Sequence, residues 1–412
     1  MAVRAPHLYR ALRCFCLAGF SLLAGDVARG EEVPFAFEEH AARGRSSLYE
    51  YRLLVRSYVD ARTERLAALA DTRIALEELM RKPAAAIYAS AHAPTGDASL
   101  LRTIVLPLLA EVAEACGGFD WNDECFGRAY AGLERSVLGE RRAYAAVAPL
   151  VGLSAGATVE LAKGLRIRRA AAGELAAHWP EARGLLPPGF GHEPERMCVL
   201  ELERTLDPNA AGPPDASAEL ADAVSALRLA TAAPVAAGPV LFERLDWRPL
   251  AIRPVLPIAA TEPAGEATRL DAVRARLSGD LLARLGCAEE DAELAEALDR
   301  WELSLFAAEP FRSEQLRGAL EALLGGPDGL GAAAVRAAVL LGETGAERAK
   351  QLERLRALAR GEPAGPSAGE PIRKALVEAL VHGDRRELVA ALDDVLIGVR
   401  PRPAGYLATL AS

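Results

Sequence analysis

Between residues 291 and 396 the apolar side chains fall into six successive stripes at three- and four-residue steps. Leu294, Leu298, Trp301 and Leu305 make the first, stopped at Pro310, and Leu316, Leu320, Leu323 and Leu324 the second, stopped by Gly325-Gly326. Val335, Val339, Leu340 and Leu341 follow, then Leu352, Leu355 and Leu358, then Ile372, Leu376 and Leu380 before Gly383, and last Leu388, Leu392 and Leu396. That spacing gives each helix one apolar face. A helix with a single apolar face must bury it, and six in succession bury theirs together as a bundle. Asp384 stands three positions before Glu387, where both side chains can satisfy free amides at a helix start. Residues 361–370, rich in Gly and Pro, read as a flexible insert.

The rest of the chain changes texture twice. Residues 46–146 read as helical: Leu48, Tyr51, Leu54 and Tyr58 recur at helical steps, Leu66, Leu69, Leu76 and Leu79 continue toward Pro83, and Leu101, Ile104, Leu108 and Val112 repeat the pattern across Pro107, a potential kink. From Pro149 prolines become frequent and short apolar runs appear at 147–151, 198–202 and 240–242; Leu165-Arg166-Ile167-Arg168 alternates as a half-exposed strand does. A helix is expected over 218–231 and a surface loop over 207–215.

At 412 residues the chain suggests two or three domains, and 51% hydrophobic with 25% charged residues is a globular composition. Aromatics are only 5%, with Ala and Leu filling most apolar positions, which favours closely packed helices over a sheet-rich fold. A net charge of −9 argues against a general nucleic-acid-coating or membrane-surface protein, though not against a local basic groove. Arg166, Arg168 and Arg169 form one basic cluster, expected to be a solvated strand face. The six cysteines are spread thinly, so reduced thiols are the expectation. Cys116 and Cys125 bracket an acidic stretch that lacks the alternating oxygen ligands of a calcium loop, and an ordinary interhelical loop is expected there. Arg4, Arg10 and Arg13 precede an apolar run at 14–24, the outline of a secretory signal, but the run is short and Asp26 and Arg29 crowd the cut. The expectation is a cytoplasmic protein with a ragged start over residues 1–45, with secretion as the alternative and no bilayer-spanning run.

Standard catalytic machinery is missing from the sequence: it holds no phosphate loop, no His-Glu-x-x-His helix and no Gly-x-Ser-x-Gly turn, and no two of the six histidines stand at metal-ligand spacing. One constellation does stand out. Residues 299–306, Pro310-Phe311, Leu320-Glu321-Ala322-Leu323-Leu324-Gly325-Gly326 and Leu380-Val381-His382-Gly383 together resemble the Apea-like HEPN domain across about residues 285–400. Residues 149–153 and 164–169, then Glu174-Leu175, are similar to the domain that precedes the bundle in such proteins.

The resemblance implies an RNA-related protein, a homodimer, and a cleft in which a histidine moves a proton while an arginine four to six residues earlier holds the phosphate. His382 matches the family histidine and is the candidate catalytic residue, but Val377 occupies the arginine position five before it. Arg373 lies nine residues back, on the opposite side of a helix, and Arg385 and Arg386 follow beyond Gly383. The resemblance therefore implies weakened or lost cleavage, which Arg at 377 would raise. The alternative is a non-catalytic regulatory protein that keeps the bundle for dimerisation. As a helix-end residue, His382 can equally serve the free carbonyls and the helix dipole. Trp301, on an apolar stripe, is expected in the core.

The fold class expected is mostly α, α+β overall: a helical region at 46–146, a small α+β domain at 147–284, a helical bundle at 285–400 and a tail at 401–412. No metal, cofactor, membrane or DNA partner is expected.

Overall fold

The structure, a computed structural model, describes residues 4–40, 48–92, 99–138, 142–170, 175, 185–186, 198–206, 214–246, 248–255, 267–363, 365 and 367–407. It is mostly α, 63% helix and 15% strand, with an antiparallel sheet. The chain forms two compact units: residues 1–149, 168–216 and 239–254 make the first, and 150–167, 217–238 and 255–412 the second.

The first unit opens on a 23-residue helix, Pro6–Ala28, where a ragged start was expected. Leu8, Leu12, Phe15 and Leu23 line its buried face and pack with Tyr58, Leu66, Leu79, Leu108 and Phe126 in one apolar core. Pro at the first turn suits that helix start, because its missing N–H would have no partner there. By length and composition this helix could also cross a membrane, its richest 18-residue window having a mean hydropathy of 1.5 with 44% of the window buried; the apolar run is thus longer than residues 14–24 alone suggest.

The helical spacing of Leu48 and Tyr51 is not realised: Leu48–Leu53 is a strand, and it pairs antiparallel with Phe35–His40. The letters Leu48-Tyr49-Glu50-Tyr51-Arg52-Leu53 also carry a period-two alternation, and aromatic residues favour a strand. The helices Val55–Asp60, Thr63–Ala67, Ala70–Met80, Pro83–His92, Leu106–Cys116 and Asp123–Leu138 then follow. Pro107 sits in the first turn of Leu106–Cys116, directly after a π-helical segment, Leu101–Val105.

In the same unit the strands lie in the order Arg248–Pro254, Val240–Leu245, Arg142–Val151, Cys198–Leu206. The first two contacts are antiparallel, with Ile252 opposite Phe242 and Phe242 opposite Val147. Val147, Val199 and Phe242 cluster with Leu175 on one face. On the other, Glu243 is buried between the Tyr144 hydroxyl and the Arg253 guanidinium, both of which donate to it. Within the first unit the cluster expected to be a solvated face is partly committed: Arg168 forks onto buried Glu201 at 2.7 and 2.9 Å. The expected 207–215 loop falls almost wholly outside the described residues.

In the second unit Val159–Ala162 pairs antiparallel with residues 165–167, and Leu153–Ala155 pairs parallel with Thr268–Leu270. Its helices Ala216–Thr231, Ala292–Phe306, Phe311–Leu324, Gly329–Leu341, Gly345–Ala359, Gly369–His382 and Arg385–Leu396 match the expected 218–231 helix and the six stripes, and Ala272–Leu282 is a further helix outside those expectations. Their apolar faces meet in one core around Trp301, which is 1% exposed. Four starts are fixed by side chains: Asp271 accepts from Arg274 N at 2.8 Å, Asp291 accepts from two backbone amides, Thr344 and Glu347 form a reciprocal cap, and Asp384 accepts from Glu387 N at 2.9 Å.

Candidate functional site

His382 is the last residue of the Gly369–His382 helix. Seven apolar residues of that helix are buried, and Gly383 ends it in the left-handed conformation (φ 84°), where an L side chain would be strained. Asp384 then starts the next helix, so the two helices meet at a corner formed by His382, Gly383 and Asp384. The imidazole lies on the surface, with Nδ1 3.0 Å from the carbonyl oxygen of Asp384, which starts the next helix, and not from a carbonyl at the end of its own.

The three arginines nearest in sequence have different fates. Arg373, 9% exposed, forks onto Glu370 at 2.7 and 2.6 Å and donates to the Leu229 carbonyl at 2.6 Å. Arg385, its side chain 4% exposed, ion-pairs with Asp291 at 3.0 Å and with Glu293, and donates to the carbonyls of Leu323 and Ala322 at 3.3 and 3.4 Å. Only Arg386 of the three is exposed. Val377, at the family's arginine position, has no exposed surface and belongs to the bundle core. The structure therefore keeps His382 accessible but brings neither Arg373 nor Arg385 to it.

What the sequence did not reveal is a set of arginines that close helix ends. Arg336 donates to the carbonyls of Leu324 and Gly325 at 3.0 and 2.9 Å while forking onto Asp393 and reaching Asp328. Arg348 donates to Gly342 O at 3.0 Å, and Arg402 to Leu340 O at 2.7 Å. Only the abundance of arginine signals this in the sequence; the partners lie up to 144 positions away.

Two further charged features occur. Inside the bundle Arg228 and Glu302, both essentially without exposed surface, form an ion pair, and Arg228 also donates to Val235 O at 2.7 Å and lies over the Phe306 ring. Burial raises the Glu302 carboxyl above the usual range, against the pull of Arg228. In the first unit Asp26 has no exposed surface and accepts from Arg65 at 2.7 and 2.9 Å, from Arg62 at 2.8 Å and from Arg29. The Arg65 hydrogen bonds, then Arg62, hold its carboxyl down to about 2 against the opposing effect of burial. Arg62 and Arg65 also line an open cleft of about 590 Å³ with Arg56, Arg102, Asp60 and Glu64.

Comparison of the chain with family models, with curated proteins and with solved structures gave no match.

Proposed function

We propose that this is an RNA-related protein of HEPN type whose bundle has lost cleavage and serves as a dimerisation scaffold. Val377 carries the reading. Where the resemblance calls for an arginine to hold a phosphate, the bundle has a fully buried apolar side chain. Arg373 and Arg385 support the same reading, since both are engaged by carboxylates and helix-end carbonyls. A donor missing where charge develops costs about 10²–10³-fold in rate. His382 alone remains as a side chain able to move a proton. Exposed Leu396, Ile397 and Val399 at the end of the last helix supply apolar surface for a second copy.

The deciding experiment combines incubation of the pure protein with mixed RNAs, beside a His382→Ala control, with light scattering. The expected result is RNA retention with weak or no cleavage, and a particle of twice the 43.6 kDa chain mass. A monomer that neither binds nor cuts RNA overturns the reading. Vigorous cleavage that survives His382→Ala places the chemistry elsewhere.

A further inference from the structure

The open cleft of about 590 Å³ in the first unit is lined by charge, whereas ligand sites of that size are ordinarily apolar with a few polar groups. Arg56, Arg62, Arg65 and Arg102 stand there with two carboxylates, Asp60 and Glu64. Four cations against two carboxylates leave a surplus of positive charge, in a chain whose net charge is −9.

Local packing brings these arginines to the cleft. In Val55–Asp60 the side chains of Val55, Tyr58 and Val59 are buried, which leaves Arg56 and Asp60, four residues apart, on the outer face. In Thr63–Ala67 Leu66 is buried and Arg65 is exposed. Arg102 belongs to the π-helical segment Leu101–Val105, whose Thr103, Ile104 and Val105 are buried while Arg102 is exposed. Such a turn is rare in folded proteins and recurs at functional sites, and this one delivers a cation to the cleft.

Two of the four guanidiniums are fixed by the fold itself. Arg62 donates to Asp26, to Glu31 and to the Tyr58 carbonyl, and lies 3.4 Å from the centre of the Tyr58 ring. Arg65 donates twice to Asp26, which has no exposed surface. Those bonds use two of the five donors of Arg65, and Arg56 uses one on Asp60 at 3.2 Å. The other donors of these two side chains can meet ligand oxygens while the Asp26 contacts stay intact. A guanidinium already held in place loses less freedom when a ligand arrives.

We propose that this cleft binds a small oligophosphate anion, two or three linked phosphoryl groups, through its four arginines, with Asp26 holding Arg62 and Arg65 in position. Arginine forks onto phosphate through two parallel hydrogen bonds. Two forks occupy the oxygens of one phosphoryl group, so four arginines suit linked groups better than a single one. Among the described residues the lining has no aromatic side chain on which a base could stack, which favours a small anion over an RNA strand. The inference stands on the first unit alone and is independent of the reading of His382.

Titration calorimetry of the full chain with pyrophosphate tests it, beside orthophosphate, sulfate and a mixed-sequence single-stranded RNA at one ionic strength. The expected result is saturable pyrophosphate binding, with orthophosphate and sulfate weaker by about tenfold or more, the loss of a charge-assisted contact. Arg56→Gln and Arg102→Gln should each weaken pyrophosphate by about tenfold to a hundredfold with the urea midpoint kept. Arg73→Gln removes the same charge from a side chain that is 80% exposed and lies outside the cleft, and should leave the affinity unchanged. No pyrophosphate binding, equal affinity for all three anions, or equal weakening by Arg73→Gln overturns the proposal. Binding of the RNA alone, lost in Arg102→Gln, overturns the small-anion assignment in favour of a nucleic-acid strand. Because binding is read first in the wild-type chain, a variant that folds poorly leaves the main claim testable.

Discussion

Replacing Val377 with Arg separates the family expectation from the physical one. If position 377 opened onto a phosphate-binding cleft, the arginine would fit there and cleavage would rise. The structure instead gives Val377 no exposed surface and surrounds it with the core that holds Leu376, Ala379 and Leu380. The variant loses the burial of a valine side chain, about 1.5–3 kcal/mol. It adds overpacking of about 1–3 kcal/mol. An unpaired guanidinium in the core adds a further penalty of several kcal/mol. The total, on the order of 5–10 kcal/mol, is comparable to the whole stability of a typical domain, about 5–15 kcal/mol. Val377→Arg should therefore unfold the bundle or drive the protein into aggregates. Val377→Ala should cost only about 1–3 kcal/mol, the scale of a partly collapsing core deletion. Urea unfolding followed by circular dichroism measures both. A Val377→Arg protein with a wild-type midpoint and new His382-dependent RNA cleavage would refute the burial argument and restore a catalytic cleft at that position.

Other consequences can be checked in the same way. Glu302→Ala leaves the Arg228 charge buried without its carboxylate and should cost about 3–5 kcal/mol in urea unfolding, far more than an exposed ion pair such as Arg300–Glu296. Asp26, held down to about 2, contributes stability that is fully present above the ordinary carboxylate range near about 4 and is lost as pH falls toward 2. The stability gap between wild type and Asp26→Asn should therefore close over that window, and a gap unchanged down to pH 2 would contradict the triple-arginine account. Gly279→Ala would place a methyl 2.9 Å from the Leu161 carbonyl oxygen, so it should destabilise the second unit although alanine is the better helix former by about 1 kcal/mol. Ile397→Asp, at a side chain 75% exposed, should leave the unfolding midpoint within about 0.5 kcal/mol of wild type but convert a dimer to a monomer in light scattering.

The bundle was legible because each of its helices announces itself locally. Leu388, Leu392 and Leu396 fix a face, Asp384 a start and Gly383 the preceding stop, and none of these needs a distant partner. The strand at Leu165–Arg169 was legible for the same reason, through alternation. The hairpin at Phe35–His40 and Leu48–Leu53 was missed because Leu48, Tyr51, Leu54 and Tyr58 happen to satisfy a helical spacing, while the period-two pattern in the same letters was the one that pairing selected. The Pro6–Ala28 helix was missed because an apolar run after arginines has the same composition whether it leads secretion or fills a core; in the structure it packs against Tyr58, Leu108 and Phe126. At the candidate site, His382 and the absent arginine were plain in the letters. The engagement of Arg373 and Arg385 was not, since their partners at Leu229 and Asp291 are 144 and 94 positions away.

Those distant partners also explain why this bundle uses arginine where a lysine would carry the same charge. A helix ends with carbonyl groups that have no partner of their own, and inside a bundle water cannot serve them all. A guanidinium has five donors in a fixed plane, so it can satisfy such carbonyls and a carboxylate at once. Arg336 does this for Leu324, Gly325 and Asp393, and Arg385 for Ala322, Leu323 and Asp291, so that two arginines from two other helices close the same end of Phe311–Leu324. A lysine, with three donors at one point and no fork, could not hold both kinds of partner in place. Moving either guanidinium toward a phosphate near His382 would strand those carbonyls and leave a carboxylate unpaired. The arrangement that stabilises the bundle thus withholds Arg385 from His382, as the fork onto Glu370 withholds Arg373, and of the three arginines nearest in sequence leaves only Arg386 on the surface.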